Sequence, residues 1–308
     1  MILLTKIRSL FSNTKVDFMS IHKIAIGFSI LCIIASLIAI FTRGLNLGID
    51  FSGGILIEAR FEDNVDISKI RNTISSEIKD VQIQSSGEKD ILIRISKSNQ
   101  EQSLVVKSIQ KILQQNFSNI EYRKIDYVGP QIGSELIYKG FFALFLSFIF
   151  IMIYIWIRFD WQFGLGGIFA LVHDAIVTLG FFAITQLEFN LTSIAAILTI
   201  IGYSINDSVV IYDRIRENMR KYKKTNLSQI INSSTNSTLS RTVLTASTTL
   251  ISLLALIIFG GDVLFSFSVA TFFGILIGTY SSIYISAPIL IYFDPTRGKK
   301  TRLNSIRD

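Results

Sequence analysis

The sequence predicts an α-helical membrane protein in which six apolar spans carry one external α+β domain. Three observations lead there. Half of the 308 residues are hydrophobic and only 17% are charged, against roughly 25% in soluble domains, and mean hydropathy is +0.49. Six apolar runs approach or exceed the ~20 residues that cross a bilayer. The remaining charges cluster in one long polar stretch and in short loops and tails, so the apolar runs are nearly free of them.

The first 23 residues are basic, with Lys6, Arg8, Lys15 and Lys23, and form a cytoplasmic N-terminus. The first span is Ile24 to Phe41. It is too long for a signal-peptide core and no A-x-A site follows, so it reads as an uncleaved anchor. Cys32, the single cysteine, lies inside it and permits no intrachain disulfide. The other five spans are close together within residues 136–292: Leu136–Ile157, Phe163–Thr185, Leu191–Tyr212, Leu239–Phe259 and Phe265–Tyr292. The last is long enough to tilt or break. Residues 293–308 form a basic tail. The loop after the fourth span carries Arg214, Arg216, Arg220, Lys221, Lys223 and Lys224, so it and both termini belong in the cytoplasm. The net charge of +7 is accounted for by these loops rather than by nucleic-acid binding.

The polar stretch, residues 45–130, then lies outside. Ile55–Phe61 alternates like a strand. Ile67, Ile70, Ile74 and Ile78 make a helical stripe. Val81–Ser85 and Ile91–Ile95 alternate again around Ser86-Gly87-Glu88-Lys89-Asp90, a hairpin turn. Leu104–Phe117 is amphipathic, with Val105, Ile109, Ile112 and Leu113 inward. Ile120–Val128 is a last strand. The order βαββαβ is the ferredoxin-like unit. Between Asp50 and Glu135 there are 13 acidic and 11 basic residues and no His or Cys, so this domain offers no catalytic constellation. Binding or leverage is its expected role.

Chemistry is expected inside the membrane. Asp207 lies in the apolar fourth span, where a carboxylate is costly and usually functional. Ser204 and Tyr203, three and four residues earlier, can share its face. Thr199, Tyr203 and Asn206 form a polar stripe. In the third span Gly166, Ala170, Asp174 and Thr178 recur at four-residue steps, which turns Asp174 toward the bundle. His173 points about 100° away on a helix, so the two are not expected to serve one site. In the fifth span Arg241, Thr245, Thr248 or Thr249, and Ser252 form a hydroxyl-lined face ending in a guanidinium, which would bias Asp207 toward ionisation. Asp207, Arg241 and Asp174 are therefore the expected proton pathway, supported by His173, Tyr203, Ser204, Asn206 and Thr245. Ala270, Gly274, Gly278, Ser282 and Ser286 make a small-residue seam along the sixth span. Gly48, Gly53, Gly54, Gly129 and Gly133 flank the external domain and are hinge candidates. No metal-ligand spacing is present, and a proton gradient rather than a cofactor is the expected energy source.

Four runs together carry a resemblance. They are Gly48-Ile49-Asp50-Phe51-Ser52-Gly53-Gly54 after the first span, Val128-Gly129-Pro130-Gln131-Ile132-Gly133 before the second, GYSINDSVVIYDRIREN from Gly202 to Asn218, and Ser240-Arg241-Thr242 opening the fifth. With His173-Asp174 and the external domain, the chain closely resembles the SecF family, membrane subunits of the bacterial Sec protein-export machinery in the SecD/SecF branch of the RND superfamily. The resemblance covers roughly residues 17–297. It implies an RND-like six-helix half that pairs with a SecD-like subunit and docks with the SecYEG channel and the proteins YajC and YidC. It implies use of the proton-motive force to draw preproteins outward across the inner membrane. In that family the aspartate of the IND run and the arginine of the SRT run line the proton path, and these fall on Asp207 and Arg241.

Three other readings compete. Half of a proton-driven RND small-molecule exporter shares the helix pattern, but such exporters carry two large external domains on two repeats. An intramembrane aspartyl protease needs facing aspartates in YD and GxGD settings, whereas Asp174 and Asp207 occur as HD and ND; no enzymatic activity is expected. The buried charges argue against a mere scaffold.

Overall fold

A computed structural model describes residues 15–62, 66–75, 81–85, 89–95, 102–117, 119–293 and 295. The chain divides into two compact units. One comprises residues 47–143 with Glu188–Leu191; the other comprises residues 1–46, 144–187 and 192–308.

The external unit opens with a helical turn, α2 (Ile49–Ser52), after α1 (His22–Arg43) of the other unit. It continues through β1 (Gly54–Phe61), α3 (Ile67–Ser75), β2 (Val81–Ser85), β3 (Asp90–Ile95), α4 (Gln102–Asn116) and β4 (Ile120–Val128). The expected βαββαβ order is present. The four strands are ordered β2-β3-β1-β4 and every neighbouring pair is antiparallel, which is the ferredoxin-like arrangement. Alternation explains the register: Ile55, Ile57, Ala59 and Phe61 of β1 and Ile91, Ile93 and Ile95 of β3 pack on one face. Ile70 and Ile74 of α3 and Val105, Ile109 and Leu113 of α4 cover them. The central strand β1 departs from strict alternation, since Leu56 and Glu58 are also buried. Ile78 and the turn residues Ser86, Gly87 and Glu88 lie outside the described residues.

Six helices are long and apolar enough to cross a membrane. They are α1, α5 (Pro130–Arg158), α6 (Trp161–Thr185), α7 (Leu191–Lys221), α8 (Leu227–Phe259), and a sixth built from α9 (Gly261–Ser281), a π-helical turn (Ser282–Ser286) and α10 (Ala287–Tyr292). Two run well beyond the apolar stretch that reveals them. α7 continues nine residues past Tyr212, and α8 begins at Leu227 rather than Leu239. The reason is local: Asn226 caps α8, its side chain accepting from the Ser228 N–H at 3.3 Å. The break expected in the last span takes the form of the π turn, a common disruption at functional sites. Pro288, just beyond it, has no N–H to give a regular helix.

The third, fourth and sixth spans are half or more buried within the chain, while less than a quarter of the first, second and fifth is buried. The small-residue seam explains the inner three. Ala270, Gly274, Gly278, Ser282 and Ser286 are all buried, so the seam is internal. A Cβ on Gly274 would collide with Ile200 of α7, and one on Gly278 would lie 3.1 Å from the Ser204 Cβ. On α6, a Cβ on Gly166 would lie 2.6 Å from the Ser286 carbonyl oxygen. Close backbone approach is what brings α6, α7 and the last span together.

Candidate functional site

The seam places the polar side chains of three helices within bonding distance. Asp174 of α6 is completely buried. Its Oδ2 accepts from the Ser204 hydroxyl of α7 at 2.6 Å and from the Ser281 hydroxyl of α9 at 2.8 Å. Its Oδ1 lies 2.9 Å from Nδ1 of His173, itself 3% exposed. A carboxylate accepts several such bonds without strain, so Asp174 ties three spans at one point. The expectation that His173 and Asp174 serve different sites is corrected here. Their helical directions diverge, but both side chains are short enough to turn toward one another along the helix surface.

Asp207 is different. It is 3% exposed, yet its Oδ2 has no hydrogen-bond partner among the described residues. The neighbouring Ser208 hydroxyl is likewise buried without one, whereas the Tyr203 phenol lies beside the Thr245 and Thr249 hydroxyls of α8. An unpaired carboxylate oxygen shielded from water is costly in its charged form. Ser204 sits one turn away on the same helix, so its bond to Asp174 fixes the turn of α7 that presents Asp207.

Arg241 lies on the exposed side of α8. The hydroxyls of its face are satisfied by their own helix: Thr245 donates to the Arg241 carbonyl at 2.6 Å, Thr249 to that of Thr245 at 3.1 Å and Ser252 to that of Thr248 at 3.1 Å. Thr199, Gly202 and Asn206 of α7 are exposed as well, and Gly202 has open space where a Cβ would stand. Tyr203 bridges the two helices, packing against Ala246 and Leu253 of α8 and Ile275 of α9.

Sequence reasoning missed some of this network. Ser281, not the seam residue Ser282, reaches Asp174. Ser281 stands one residue off the four-residue count that defines the seam. Tyr212 is fully buried, with its hydroxyl accepting from the Ser286 hydroxyl at 2.6 Å; the run it follows hinted at it only by being apolar. Near the end of α5, Arg158 pairs with Asp213 of α7 at 2.7 Å.

The five glycines flanking the external domain separate into three kinds. Gly53 and Gly54 have φ of 69° and 123°, which side chains resist. Gly48 and Gly133 are close approaches: a Cβ on the first would lie 2.5 Å from the Glu188 carboxylate, and one on the second 2.9 Å from the Phe51 carbonyl oxygen. Gly129 has open space around it. Among the described residues no group of His, Cys, Asp and Glu is arranged to hold a metal ion.

Residues 108–295 match the family described as protein export membrane protein SecD/SecF, C-terminal, and residues 38–65 match the SecD/SecF GG motif. The protein translocase subunit SecF of Rickettsia felis is 54% identical over 281 residues, covering 90% of this chain and 91% of that protein. The SecF of Rickettsia prowazekii is also 54% identical, covering 90% of each. The crystal structure of SecDF from Thermus thermophilus, a translocon-associated membrane protein, superposes with a TM-score of 0.84 at 34% identity. A second SecDF structure, in a super-membrane-facing form, gives 0.69 at 33% identity. These cover 92% and 95% of this chain, but the chain spans only 39% and 40% of the SecDF chains.

Proposed function

This chain belongs to the SecD/SecF family of protein-export membrane proteins, and we propose that it is the SecF-type subunit of a protein translocase that couples the proton-motive force to outward movement of preproteins. The observation that carries the coupling is the contrast between two buried aspartates. Asp174 is engaged by three donors from three helices, while Asp207 keeps an oxygen without a partner. A locked carboxylate is suited to holding helices. An unlocked one in the membrane interior is suited to taking up and releasing a proton. Arg241 would favour the ionised form of Asp207 when the two are close and release it when the helices shift. Asp174, through Ser204, sets the turn of α7 on which Asp207 rides; His173, Tyr203, Asn206 and Thr245 complete the polar surroundings.

A SecD-like partner follows from the exposed polar faces. Arg241, Thr248 and Ser252 on α8 and Thr199 and Asn206 on α7 face away from their own bundle. The hydroxyls among them bond to their own helices, but the Arg241 guanidinium and the Asn206 amide are poorly accommodated by lipid and call for another protein surface. A six-span half pairing with a second half satisfies them, and the SecDF chains, more than twice as long, fit this reading. The assembly would work beside the SecYEG channel in the inner membrane, with both termini cytoplasmic and the ferredoxin-like domain outside. The exporter alternative is not favoured, because the similar proteins are protein translocase subunits.

The test is Asp207→Asn in vesicles containing the assembled translocase, with a proton gradient imposed in the absence of ATP. Asparagine keeps the shape but cannot cycle a proton. Gradient-driven export should disappear while assembly persists; full gradient-driven export in the variant would refute the coupling role.

A further inference from the structure

Residues 188–191, the last of which opens the fourth span, belong to the external unit. Leu47 and Phe189 form a parallel β-bridge, and the Gly48 N–H donates to the Phe189 carbonyl at 2.8 Å. Phe51 packs on Phe189 with ring centroids 5.8 Å apart. Glu188 is held by Arg94 of β3, Nη2 to Oε2 at 2.7 Å, with side chains 12% and 21% exposed. It is the most shielded Arg or Lys ion pair among the described residues. A Cβ on Gly48 would crowd the Glu188 carboxylate and lie 3.1 Å from the Asn190 Cβ. Finally, Oδ2 of Asp50 accepts the N–H of Leu191 at 3.0 Å. Leu191 is the first residue of α7, and its N–H is one of the four that no carbonyl of its own helix can serve. A carboxylate there also suits the positive end of the helix dipole.

We infer that Asp50 and the Arg94–Glu188 pair form a strap that fastens the external domain to the first turn of α7, delivering movement of the domain to the helix that carries Asp207. The inference rests on the reading of Asp207 given above. Strand β3 and the segment after the first span grip the same four residues, so those residues travel with the domain. From Leu191 the helix is continuous to Asp207, a rise of about 24 Å at 1.5 Å per residue. A displacement of its first turn therefore reaches the carboxylate without passing through a flexible loop. Asp50 is a positioning residue in this scheme: it handles no proton itself.

The experiment uses the full chain assembled with its partner subunits in proteoliposomes, with two readouts. One is hydrogen exchange of the amides of residues 188–194. The other is export with ATP alone and with ATP plus a proton gradient. Asp50→Ala is expected to raise exchange at the start of α7 by about 2- to 30-fold, the range that loss of a helix cap produces. It is expected to abolish most of the gradient-stimulated component and leave the ATP-driven component unchanged. Asp50→Asn, which keeps an acceptor oxygen, should retain most of both protection and stimulation. Arg94→Glu and Glu188→Arg should each be impaired, and the double reversal should recover. Faster exchange with undiminished stimulation would show a strap that couples nothing, and lost stimulation with unchanged exchange would show that Asp50 acts elsewhere; either overturns the inference. Persistence of gradient stimulation in Asp207→Asn would instead overturn the proton reading, a separate result because the exchange arm reports the strap whatever the identity of the carrier.

Discussion

Two aspartates of the same bundle should respond in opposite ways to the same substitution. Asp174→Asn replaces an acceptor of three bonds with an amide whose NH2 faces donors, leaving a buried hydroxyl or imidazole unserved. A loss of about 1–3 kcal/mol is expected, read as easier unfolding in detergent titrations. Asp207→Asn removes no bond made by Oδ2, so stability should be unchanged and only gradient-driven export lost. Equal destabilisation by both would contradict the division into anchor and carrier. At Arg241, Lys keeps the cation but not the planar fork, so partial coupling is expected from Arg241→Lys and little from Arg241→Met. Full activity of the Met variant would make Arg241 a simple interface anchor. These residues were visible in the sequence because charge is rare in apolar runs. Their partners were not, since Ser204, Ser281 and His173 converge on Asp174 from positions whose meeting depends on helix packing.

Elements were legible where a period was long and clean. The alternation in β1 and β3 and the stripes of α3 and α4 gave the ferredoxin-like order. The six apolar runs gave the spans. Ends were less legible: α8 starts twelve residues before its apolar run because a cap and an amphipathic first section hold it, with Asn218 of α7 bonded to Ser234 at 2.8 Å. The second and third turns of that section are further held by the N-terminal segment, the Val16 and Phe18 N–H groups donating to the Asn236 and Asn232 side chains at 3.0 and 2.9 Å. Such pairings carry no sequence period. The seam makes a prediction at this scale. Gly278→Ala puts a methyl 3.1 Å from Ser204, and overpacking of this kind costs about 1–3 kcal/mol. Gly202→Ala meets nothing within 4 Å in this chain. It should leave the stability of the isolated subunit intact and weaken only co-purification with the partner half. If Gly202→Ala lowers the isolated subunit's stability as much as Gly278→Ala does, the exposed face of α7 is not the partner surface.

For the whole molecule, function requires that work done in the bundle be expressed outside the membrane. Displacement is the contribution proposed for the ferredoxin-like domain, and the inferred strap at Asp50 would give displacement a route to α7. A clamp tests this directly. A disulfide joining the external domain to the partner subunit's external domain should block gradient-stimulated export once oxidised, and reduction should restore it. Assembly, read by co-purification, should be the same in both states. The background is simple to prepare, because Cys32 is the single cysteine. It is half-buried in α1, and Cys32→Ala removes the remaining thiol at little expected cost. Arresting the domain leaves Asp207, Arg241 and the seam chemically untouched, so a block by the clamp separates motion from proton chemistry. Undiminished export with the clamp fully oxidised would make the domain a static docking surface. The proton-driven movement would then have to reach the preprotein through the spans alone.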